Sequence, residues 1–417
     1  MKFSVGFGVQ QQEFEIPDKH FMDVLVANEV EVSLLGEAEV KRSMSNPIGT
    51  ERLKDIVKPG EKIVIITSDI TRPVPSYKII PSILDELYES GAKKEDITVV
   101  LALGSHRPHT DEEKIKILGQ RVYNEVKCVD SDSNDCIRMG ITKSGTPVDI
   151  FRVVAEADRR ICVGNIEYHY FAGYSGGAKA IMPGVSTPSA IQANHSKMVL
   201  DDAKTGKLEG NPVREDLEEA IKYCPIDYIV NVVLNEKKEI IYSVAGDFID
   251  AHREGCKFLD KIYKKELKEK ADIVIVSQGG APKDLNLYQV QKALDNAKHA
   301  VKEGGIIILV GSCKEGFGNK VFEEWMTEAN TPDDIINRIK KNFKLGGHKA
   351  AAIALVLKKA KIFLVSELDP GLVKSIFMEP YDTVQQAYDV AIKELGDEVK
   401  VLIMPYGGST LPVVTEQ

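Results

Sequence analysis

The segment NIEYHYFAGYSGGAKAIMPG occupies residues 165–184 and directly follows an apolar stretch that predicts a buried strand. It holds four glycines, one lysine and one histidine. Glycine lets the backbone approach a ligand closely, lysine can bond covalently to a cofactor, and histidine can move protons or bind a metal. Few structural requirements need all of these residue types in one turn, so the segment is the first candidate for a functional site.

The strand before this segment is one of three that share a pattern. Apolar strands that alternate with helices are predicted at 62–67, 97–103 and 160–163. The loops that follow them are rich in glycine, proline and polar residues and cover 68–75, 104–110 and 164–178. Short, continuously apolar strands are typical of a parallel sheet covered on both faces, and ligands bind at the carboxyl ends of such strands. We therefore expect the three loops to meet at one crevice.

The same pattern restarts in the second half of the chain. Further apolar strands are predicted at 272–277, 306–310, 362–366 and 399–404. The sequence thus predicts two α/β domains, residues 1–268 and 269–417, each with a mostly parallel sheet flanked by helices. Two such domains that face each other enclose a cleft, so the active site is expected in the interdomain cleft.

The composition excludes several classes of function. A formal net charge of −9 over 417 residues argues against general nucleic-acid binding, which favours basic surfaces. No apolar run approaches the ~18 residues of a membrane span, and the first residues lack the apolar core of a signal peptide. The six cysteines form no CxxC pair, so neither a zinc site nor a disulfide framework is predicted. We expect a cytoplasmic protein without nucleic-acid or membrane partners.

Lys179 lies in a glycine-rich run that is superficially similar to a P-loop. A P-loop places Ser or Thr after its lysine to bind Mg²⁺, whereas here Ala178 precedes the lysine and Ala180 follows it. A nucleotide-dependent transferase or ATPase is therefore disfavoured but stays open as a rival. A tight strand-to-helix turn with a surface lysine is the structural alternative.

Four histidines are candidates for proton transfer or metal binding. His106 and His109 share a loop without a carboxylate or cysteine that would complete a metal site, so a general base is the better assignment for one of them. His169 stands between two tyrosines, whose rings would exclude water and tune its pKa. His195 lies on a helix predicted to begin near residues 186–188. A structural role for His169 and a solvent-facing position for His195 are the alternatives.

Asp69 and Arg72 follow the end of the first predicted strand. Arginine can make a two-pronged contact with a phosphate or a carboxylate. An Asp–Arg pair that stabilises the loop is the structural alternative, and it is compatible with the functional one.

Five motifs together resemble the nickel-pincer lactate racemase family: SDITRP at 68–73, GSHRPH at 104–109, YHYFAG at 168–173, GGAKAIMPG at 176–184 and NH at 194–195. Their order and spacing match as well as their residue types, over nearly the whole chain. The resemblance implies a two-domain α/β isomerase, a 2-hydroxy-acid racemase or epimerase. It also implies a cofactor, the nickel-pincer nucleotide (pyridinium-3-thioamide-5-thiocarboxylic acid mononucleotide) with Ni, and cofactor-biosynthesis proteins as maturation partners.

The resemblance implies roles for individual residues. Lys179 matches the lysine joined covalently to the cofactor, and His195 matches the histidine that binds nickel. His106 and His169 match the catalytic acid/base histidines. The other matched residues are the cofactor contacts Asp69, Arg72, Gly176 and Gly177 and the substrate contacts Arg72, Tyr288, Gln289 and Lys292. The first domain would thus carry the cofactor lysine and the catalytic histidines, and the second would contribute substrate contacts.

Hydride transfer gives these roles a chemical reason. Removing the α-proton of a 2-hydroxy acid forms a costly carbanion beside a carboxylate, whereas loss of a hydride and the hydroxyl proton leaves a planar 2-keto acid. Return of the hydride to the other face inverts the carbon, and an acid/base group is needed on each side. Arg72 and Lys292 would hold the carboxylate. A carrier that binds the cofactor without turnover remains an alternative.

One departure from the family bears on the substrate. The lactate-acting members place a tryptophan in the second-domain part of the pocket, whereas the single tryptophan here, Trp325, lies in a charged helix that does not obviously align. Residues 350–352 or His348 would occupy the corresponding region. The expected substrate is therefore a small 2-hydroxy acid, either lactate or a larger analogue.

Overall fold

A computed structural model describes residues 1–415 of the chain. These residues form two compact units. One consists of Val30–Lys261, and the other combines Met1–Glu29 with the described residues from Ile262 onward.

The Val30–Lys261 unit is built on a six-stranded sheet. Its strands, in spatial order, are Ile240–Gly246, Tyr228–Leu234, Arg159–Asn165, Ile63–Ser68, Ile97–Ala102 and Lys127–Asp130. All neighbours are parallel except the first pair, which is antiparallel. Two short antiparallel pairs complete its strands: Cys136–Ile141 with Pro147–Phe151, and Tyr168–His169 with Gly173–Tyr174.

The helices of this unit connect the strands and cover the sheet. The α-helices are Gly36–Ser45, Leu53–Ile56, Ser76–Glu89, Asp111–Glu125, Arg152–Ala155, Pro188–His195, Pro212–Ala220 and Asp250–Tyr263. Three short 3₁₀ helices are Lys94–Asp96, Gly177–Ala180 and Ser196–Val199. Apolar side chains from the helices pack on strand residues such as Ile65 and Val99, which are fully buried. Each such burial stabilises the fold by ~1.5–3 kcal/mol, which explains why the apolar strands form the centre.

The second unit is built on another six-stranded sheet, and all of its neighbouring strands are parallel. In spatial order the strands are Glu379–Tyr381, Lys361–Val365, Val301–Val310, Ala271–Ser277, Val401–Met404 and Phe21–Val24. The helices are Leu287–Ala297, Lys320–Thr327, Pro332–Lys341, Gly347–Leu357, Pro370–Ser375 and Val384–Leu395. A hairpin of Lys2–Phe7 and Gln10–Glu15 and a parallel pair of Lys264–Leu267 and Leu411–Val414 complete it. The predicted α/β architecture with two mostly parallel sheets is therefore confirmed.

The structure divides the chain differently from the predicted boundary between residues 268 and 269. The first 29 residues join the second unit, because Phe21–Val24 pairs with Val401–Met404 and Val5 and Phe14 are buried in that unit's core. The pattern of apolar residues in a strand indicates that the strand is buried, but it does not indicate which sheet the strand joins. Sequence order alone therefore assigned residues 1–29 to the N-terminal domain.

Two further observations concern the chain as a whole. Among residues 1–415, no helix is both long enough and apolar enough to cross a membrane. All six cysteines are free thiols.

Candidate functional site

The three loops expected to meet do follow three adjacent strands of the first sheet: Arg159–Asn165, Ile63–Ser68 and Ile97–Ala102. Hydrogen bonds join the first two loops in chain order to each other, and the second loop to the end of the segment 165–184. The amide of Ile70 donates to Nε2 of His109 over 3.0 Å, and the amide of Gly104 donates to the carbonyl of Gly184 over 2.9 Å. The carboxyl end of this sheet therefore gathers residues from distant parts of the sequence.

Asp69 and His106 form one pair at this edge. Asp69 is 6% exposed, and its Oδ2 lies 3.1 Å from Nδ1 of His106 while its Oδ1 accepts the amide of Thr71 over 2.7 Å. Burial opposes ionisation, but the hydrogen bonds from His106 and Thr71 outweigh it and lower the pKa of Asp69 to about 2. An ionised carboxylate can only accept, so Nδ1 of His106 donates to it, and in the neutral ring the lone pair lies on Nε2.

His109, the neighbouring candidate, has a structural position. Its Nδ1 lies 2.7 Å from Oδ1 of Asp130, its amide donates to Oδ2 of the same carboxylate over 3.0 Å, and its Nε2 accepts from Ile70. Both ring nitrogens are therefore occupied in holding the loop that carries Asp69. Of the two histidines in this loop, only His106 keeps a nitrogen available for proton transfer.

His169, Lys179 and His195 are brought together around the ring of Phe171. The imidazole centroids of His169 and His195 lie 4.5 and 4.9 Å from the Phe171 centroid, and Nζ of Lys179 lies 5.9 Å from it. Phe171 belongs to the segment between the two short strands, and Lys179 belongs to the 3₁₀ helix that follows. Sequence reasoning did not single out Phe171, whose only signal is its place inside the aromatic run 168–171.

This grouping lowers the pKa of two basic side chains. Burial is the main cause for Lys179, followed by the positive charges of Arg214 and Arg72, and together they lower its pKa well below the usual range. The pKa of His169 is lowered well below its usual value for the same reasons, with burial first and Lys179 next. Although both residues keep part of their surface exposed, the amine and the ring lie among enough protein atoms to favour their neutral forms. A neutral lysine amine is a nucleophile.

Two contacts define the ring of His169. Its Nδ1 accepts the amide of Ala172 over 3.3 Å, so in the neutral ring the proton resides on Nε2. The ring also stacks on Tyr170 with 5.5 Å between centroids. His106 and His169 thus present opposite states at Nε2, a lone pair on the first and a proton on the second.

The glycines of the turn have a steric reason to be glycine. Gly176 and Gly177 have φ of 76° and 58°, and a Cβ on Gly176 would lie 2.6 Å from Oδ1 of Asn231. That same oxygen accepts the amide of Gly177 over 2.8 Å. A Cβ on Gly177 would lie 3.1 Å from the buried ring of His252, whose Nε2 donates to the carbonyl of Ser175 over 2.8 Å. Backbone packing alone therefore accounts for both glycines, and their contact with a cofactor stays a prediction.

His195 lies on a helix, as the sequence predicted, and is the last residue of that helix, Pro188–His195. The helix begins after Thr187, whose hydroxyl caps the amide of Ala190 over 3.3 Å. His195 is 8% exposed, and its Nδ1 lies 2.9 Å from Oδ1 of Asn194. No group of three or more His, Cys, Asp or Glu side chains among residues 1–415 has the spacing to hold a metal ion.

Arg214 is a site residue that sequence reasoning missed. It is fully buried, and its guanidinium donates to the carbonyl of Ala172 over 3.1 Å and to the carbonyl of Tyr174. It therefore holds the segment that carries His169 and Phe171, and its charge lowers the pKa of Lys179. Its sequence context, an ordinary charged stretch of the helix Pro212–Ala220, gives no signal of this burial.

The residues predicted to contact substrate from the second half of the chain lie on the helix Leu287–Ala297. Gln289 and Lys292 are exposed and three residues apart, so they share a face of the helix. The ring of Tyr288 packs edge-on against His348 at 6.4 Å, and Nζ of Lys349 lies 4.1 Å from the Tyr288 centroid. The helix starts at Asn286, whose side chain caps the amide of Gln289 over 3.0 Å.

Comparisons with known proteins show what the chain is similar to. Residues 7–206 match the family model "Lactate racemase N-terminal domain", and residues 267–412 match "Lactate racemase C-terminal domain". A lactate racemase of Thermoanaerobacterium thermosaccharolyticum is 34% identical over 419 residues, covering 98% of each chain. A lactate racemase of Lactiplantibacillus plantarum is 35% identical over 405 residues, covering 94% of this chain and 95% of that one.

Solved structures show the same likeness. The lactate racemase apoprotein from T. thermosaccharolyticum superposes with a TM-score of 0.89 at 33% identity and covers 100% of both chains. A protein of Thermotoga maritima gives a TM-score of 0.63 at 19% identity, covering 92% of this chain and 100% of that one, which shows the fold alone.

Proposed function

The chain belongs to the lactate racemase family and is therefore a racemase, and we propose that it inverts the hydroxyl-bearing carbon of a 2-hydroxy acid with a nickel-pincer nucleotide attached to Lys179. The observation that carries the proposal is the grouping of Lys179, His169 and His195 around Phe171. A nucleophilic amine, an acid/base imidazole and a metal-ligating imidazole are three of the protein functions that this cofactor and reaction require.

The residues present fit the proposed group. The depressed pKa of Lys179 leaves a neutral amine for covalent attachment. His195 offers Nε2 as one metal ligand, and the lack of a three-residue protein cluster within residues 1–415 agrees with a metal held mainly by its cofactor. The charges of Arg72 and Arg214, which both act on Lys179, would favour the phosphate of a nucleotide. When bound, the nucleotide would supply an electron-poor ring that accepts a hydride from the substrate and returns it.

The protein side of the reaction is proton transfer. Nε2 of His106 accepts the proton of the substrate hydroxyl, and Asp69 stabilises the imidazolium that forms by accepting from Nδ1. On the opposite face, His169 in its protonated form would give a proton to the substrate oxygen when the opposite enantiomer forms. Burial and nearby positive charge disfavour that form, which makes it a strong acid, so in each turnover His169 takes up a proton from solvent and His106 releases the one it accepted. Reversal of these roles converts the second enantiomer into the first.

The substrate is proposed to be lactate or a larger 2-hydroxy acid. The roles of Arg72, Tyr288, Gln289 and Lys292 as substrate contacts stay predictions. Trp325 is 1% exposed and lies under the guanidinium of Arg338, so it has no free face to offer a substrate. The ring of Tyr288 packs instead against Phe322 and His348 and beneath Nζ of Lys349, and the two polar groups suit a substrate with an additional polar substituent.

Intact mass spectrometry tests the attachment. The chain is produced together with cofactor-biosynthesis proteins, and we expect added mass that maps to Lys179 and is missing in Lys179→Ala. Lys204→Ala, a lysine in the same unit, is the matched control and should carry the full adduct. Unmodified protein that binds ATP tightly would instead favour a nucleotide-dependent transferase, and an adduct without turnover of any 2-hydroxy acid would favour a carrier.

A further inference from the structure

Asn194 joins the proposed metal ligand to a buried polar network. Its Nδ2 donates to Oδ2 of Asp216 over 2.8 Å and to the carbonyl of Val213 over 3.1 Å. A carboxylate and a peptide carbonyl can only accept, so the amide nitrogen must lie on that side. The amide oxygen of Asn194 therefore faces Nδ1 of His195, at 2.9 Å.

This orientation determines where the proton of His195 resides. An amide oxygen is only an acceptor, so Nδ1 of His195 must donate to it and the lone pair of the neutral ring lies on Nε2. A histidine that binds a metal through one nitrogen usually donates its other N–H to a nearby acceptor, which sets the tautomer and the orientation of the ring.

Asp216 is itself held in place. It is 4% exposed, and in addition to Asn194 its oxygens accept from Thr142 Oγ1 and Thr146 Oγ1 at 2.6 Å, from Lys197 Nζ at 2.8 Å and from the hydroxyl of Ser144. These donors come from the turn between two strands and from the 3₁₀ helix after His195. With Asn194 the carboxylate accepts from five donors, and turning it away from Asn194 would break several of these hydrogen bonds.

We propose that Asn194 and Asp216 are positioning residues that hold His195 in the tautomer with the proton on Nδ1 and so reserve Nε2 for the metal. The inference rests on the proposed function, in which His195 binds nickel. The reaction itself does not require an asparagine before this histidine. The hydrogen bonds to Asp216 and His195 do require one, because they use both the amide nitrogen and the amide oxygen.

Nitrogen NMR of the apo chain tests the tautomer without any metal. In protein labelled with ¹⁵N at its eight histidines, the His195 signals are assigned by their disappearance in His195→Gln. We expect a protonated Nδ1 and an unprotonated Nε2 in the wild type, a mixture of tautomers in Asn194→Ala, and the wild-type pattern in Ser144→Ala, which leaves Oδ2 of Asp216 on Asn194. A proton on Nε2 of the unmutated chain would overturn the inference, and so would an unchanged tautomer in Asn194→Ala.

Metal analysis of the chain produced with cofactor-biosynthesis proteins gives the second readout. We expect Asn194→Ala to bind nickel ~10–100-fold more weakly while keeping the Lys179 adduct, as for other residues that orient a metal-ligating histidine. Nickel loss in His195→Ala with full retention in Asn194→Ala would overturn the inference and leave the proposed function intact. Full nickel retention in His195→Ala would instead show that His195 is not a nickel ligand. The inference would then fail together with that part of the proposed function.

Discussion

The pairing of Asp69 with His106 is the residue-scale feature closest to the proposed chemistry. A carboxylate that accepts from Nδ1 orients an imidazole and stabilises its protonated form, as in other enzymes that use histidine as a base. His169 has no such partner, and burial together with neighbouring cations disfavours its protonation. The two histidines proposed as acid/base groups are therefore chemically unequal, although the proposed reaction is nearly symmetric.

We expect substitutions of the three histidines to separate metal binding from proton transfer. His195→Ala should lower the nickel content and keep the adduct on Lys179, because the ring acts on the metal and not on the amine. His106→Ala and His169→Ala should keep nickel and lose ~10²–10⁴-fold in turnover, the usual contribution of a general acid or base. Metal analysis and a chiral assay on the same preparations measure both. Equal loss of nickel in all three variants would contradict this division of roles.

Asp69 should also make stability depend on pH. Its folded pKa of about 2 lies below the ordinary 3.8, so its contribution is present above about pH 4 and is lost as the pH falls through 2. The difference corresponds to about 2 kcal/mol at neutral pH. Urea unfolding of wild type and Asp69→Asn between pH 7 and pH 2 should show a gap that shrinks over the acid range. Asp201→Asn, at an exposed position, is the control, and its free energy of unfolding should equal that of the wild type. A difference between wild type and Asp69→Asn that does not change with pH would refute the lowered pKa of Asp69.

At the scale of elements, the two short antiparallel strands Tyr168–His169 and Gly173–Tyr174 form a hairpin that carries His169 of the candidate site. The hydroxyls of Tyr168 and Tyr174 both donate to Oδ1 of Asp260, at 2.9 and 2.7 Å, and Arg214 donates to the carbonyl of Tyr174. The tight return between the strands places His169 opposite Gly173. Its geometry therefore depends on a few buried polar contacts and on one glycine.

Substitution of that glycine should destabilise the chain more than substitution of an open one. Gly173 has φ of 77°, and a Cβ there would lie 2.0 Å from the carbonyl oxygen of Lys207, which is backbone and cannot turn aside. Gly145 has φ of 86° and nothing within 4 Å of its Cβ position. Gly145→Ala should therefore lower the free energy of unfolding by ~1–2 kcal/mol, because alanine is strained in the left-handed region. Gly173→Ala should lower it by an additional ~1–3 kcal/mol, because of the clash. Urea unfolding measures the free energy of unfolding of both variants. Equal losses of stability would show that the turn between the two strands can shift to relieve the clash.

At the scale of the whole molecule, two units of similar architecture supply different chemistry. The Val30–Lys261 unit holds the lysine and the three histidines of the proposed mechanism. The other unit carries Tyr288, Gln289 and Lys292 on one helix, beside His348 and Lys349. Under the proposed function, variation in the second unit alters the substrate while the reaction stays the same.

This division predicts the substrate range. The cofactor-loaded chain should act on at least one 2-hydroxy acid bulkier than lactate at a rate that matches or exceeds that for lactate, because Trp325 is packed away under Arg338. The measurement is a chiral assay with lactate, malate, 2-hydroxybutyrate, phenyllactate and short aldonates, with Lys179→Ala as the blank. Strict preference for lactate would refute the argument from Trp325. Turnover of secondary alcohols without a carboxylate would refute the roles of Arg72 and Lys292.

The prediction of the fold from sequence succeeded where the signal is local. Strands predicted at 62–67 and 97–103 appear at Ile63–Ser68 and Ile97–Ala102, and the helix that ends at His195 begins where Thr187 and Pro188 indicate. Burial of apolar runs and capping of helices depend on residues a few positions apart, so the chain carries these signals openly. The order of strands along the sequence also correctly placed three loops at one sheet edge.

Contacts between distant residues were beyond the sequence. The grouping of His169, Lys179 and His195 on Phe171, the burial of Arg214, and the entry of residues 1–29 into the second sheet all depend on how whole elements pack. The sequence by itself determined the two α/β units and the residue types available at the strand ends. Only the tertiary structure decided that both ring nitrogens of His109 are hydrogen-bonded, whereas one nitrogen of His106 is not. It also decided that Asn194 links His195 to Asp216. The physical reason is that a hydrogen bond depends on distances between atoms, and the spacing of residues along a chain does not contain those distances.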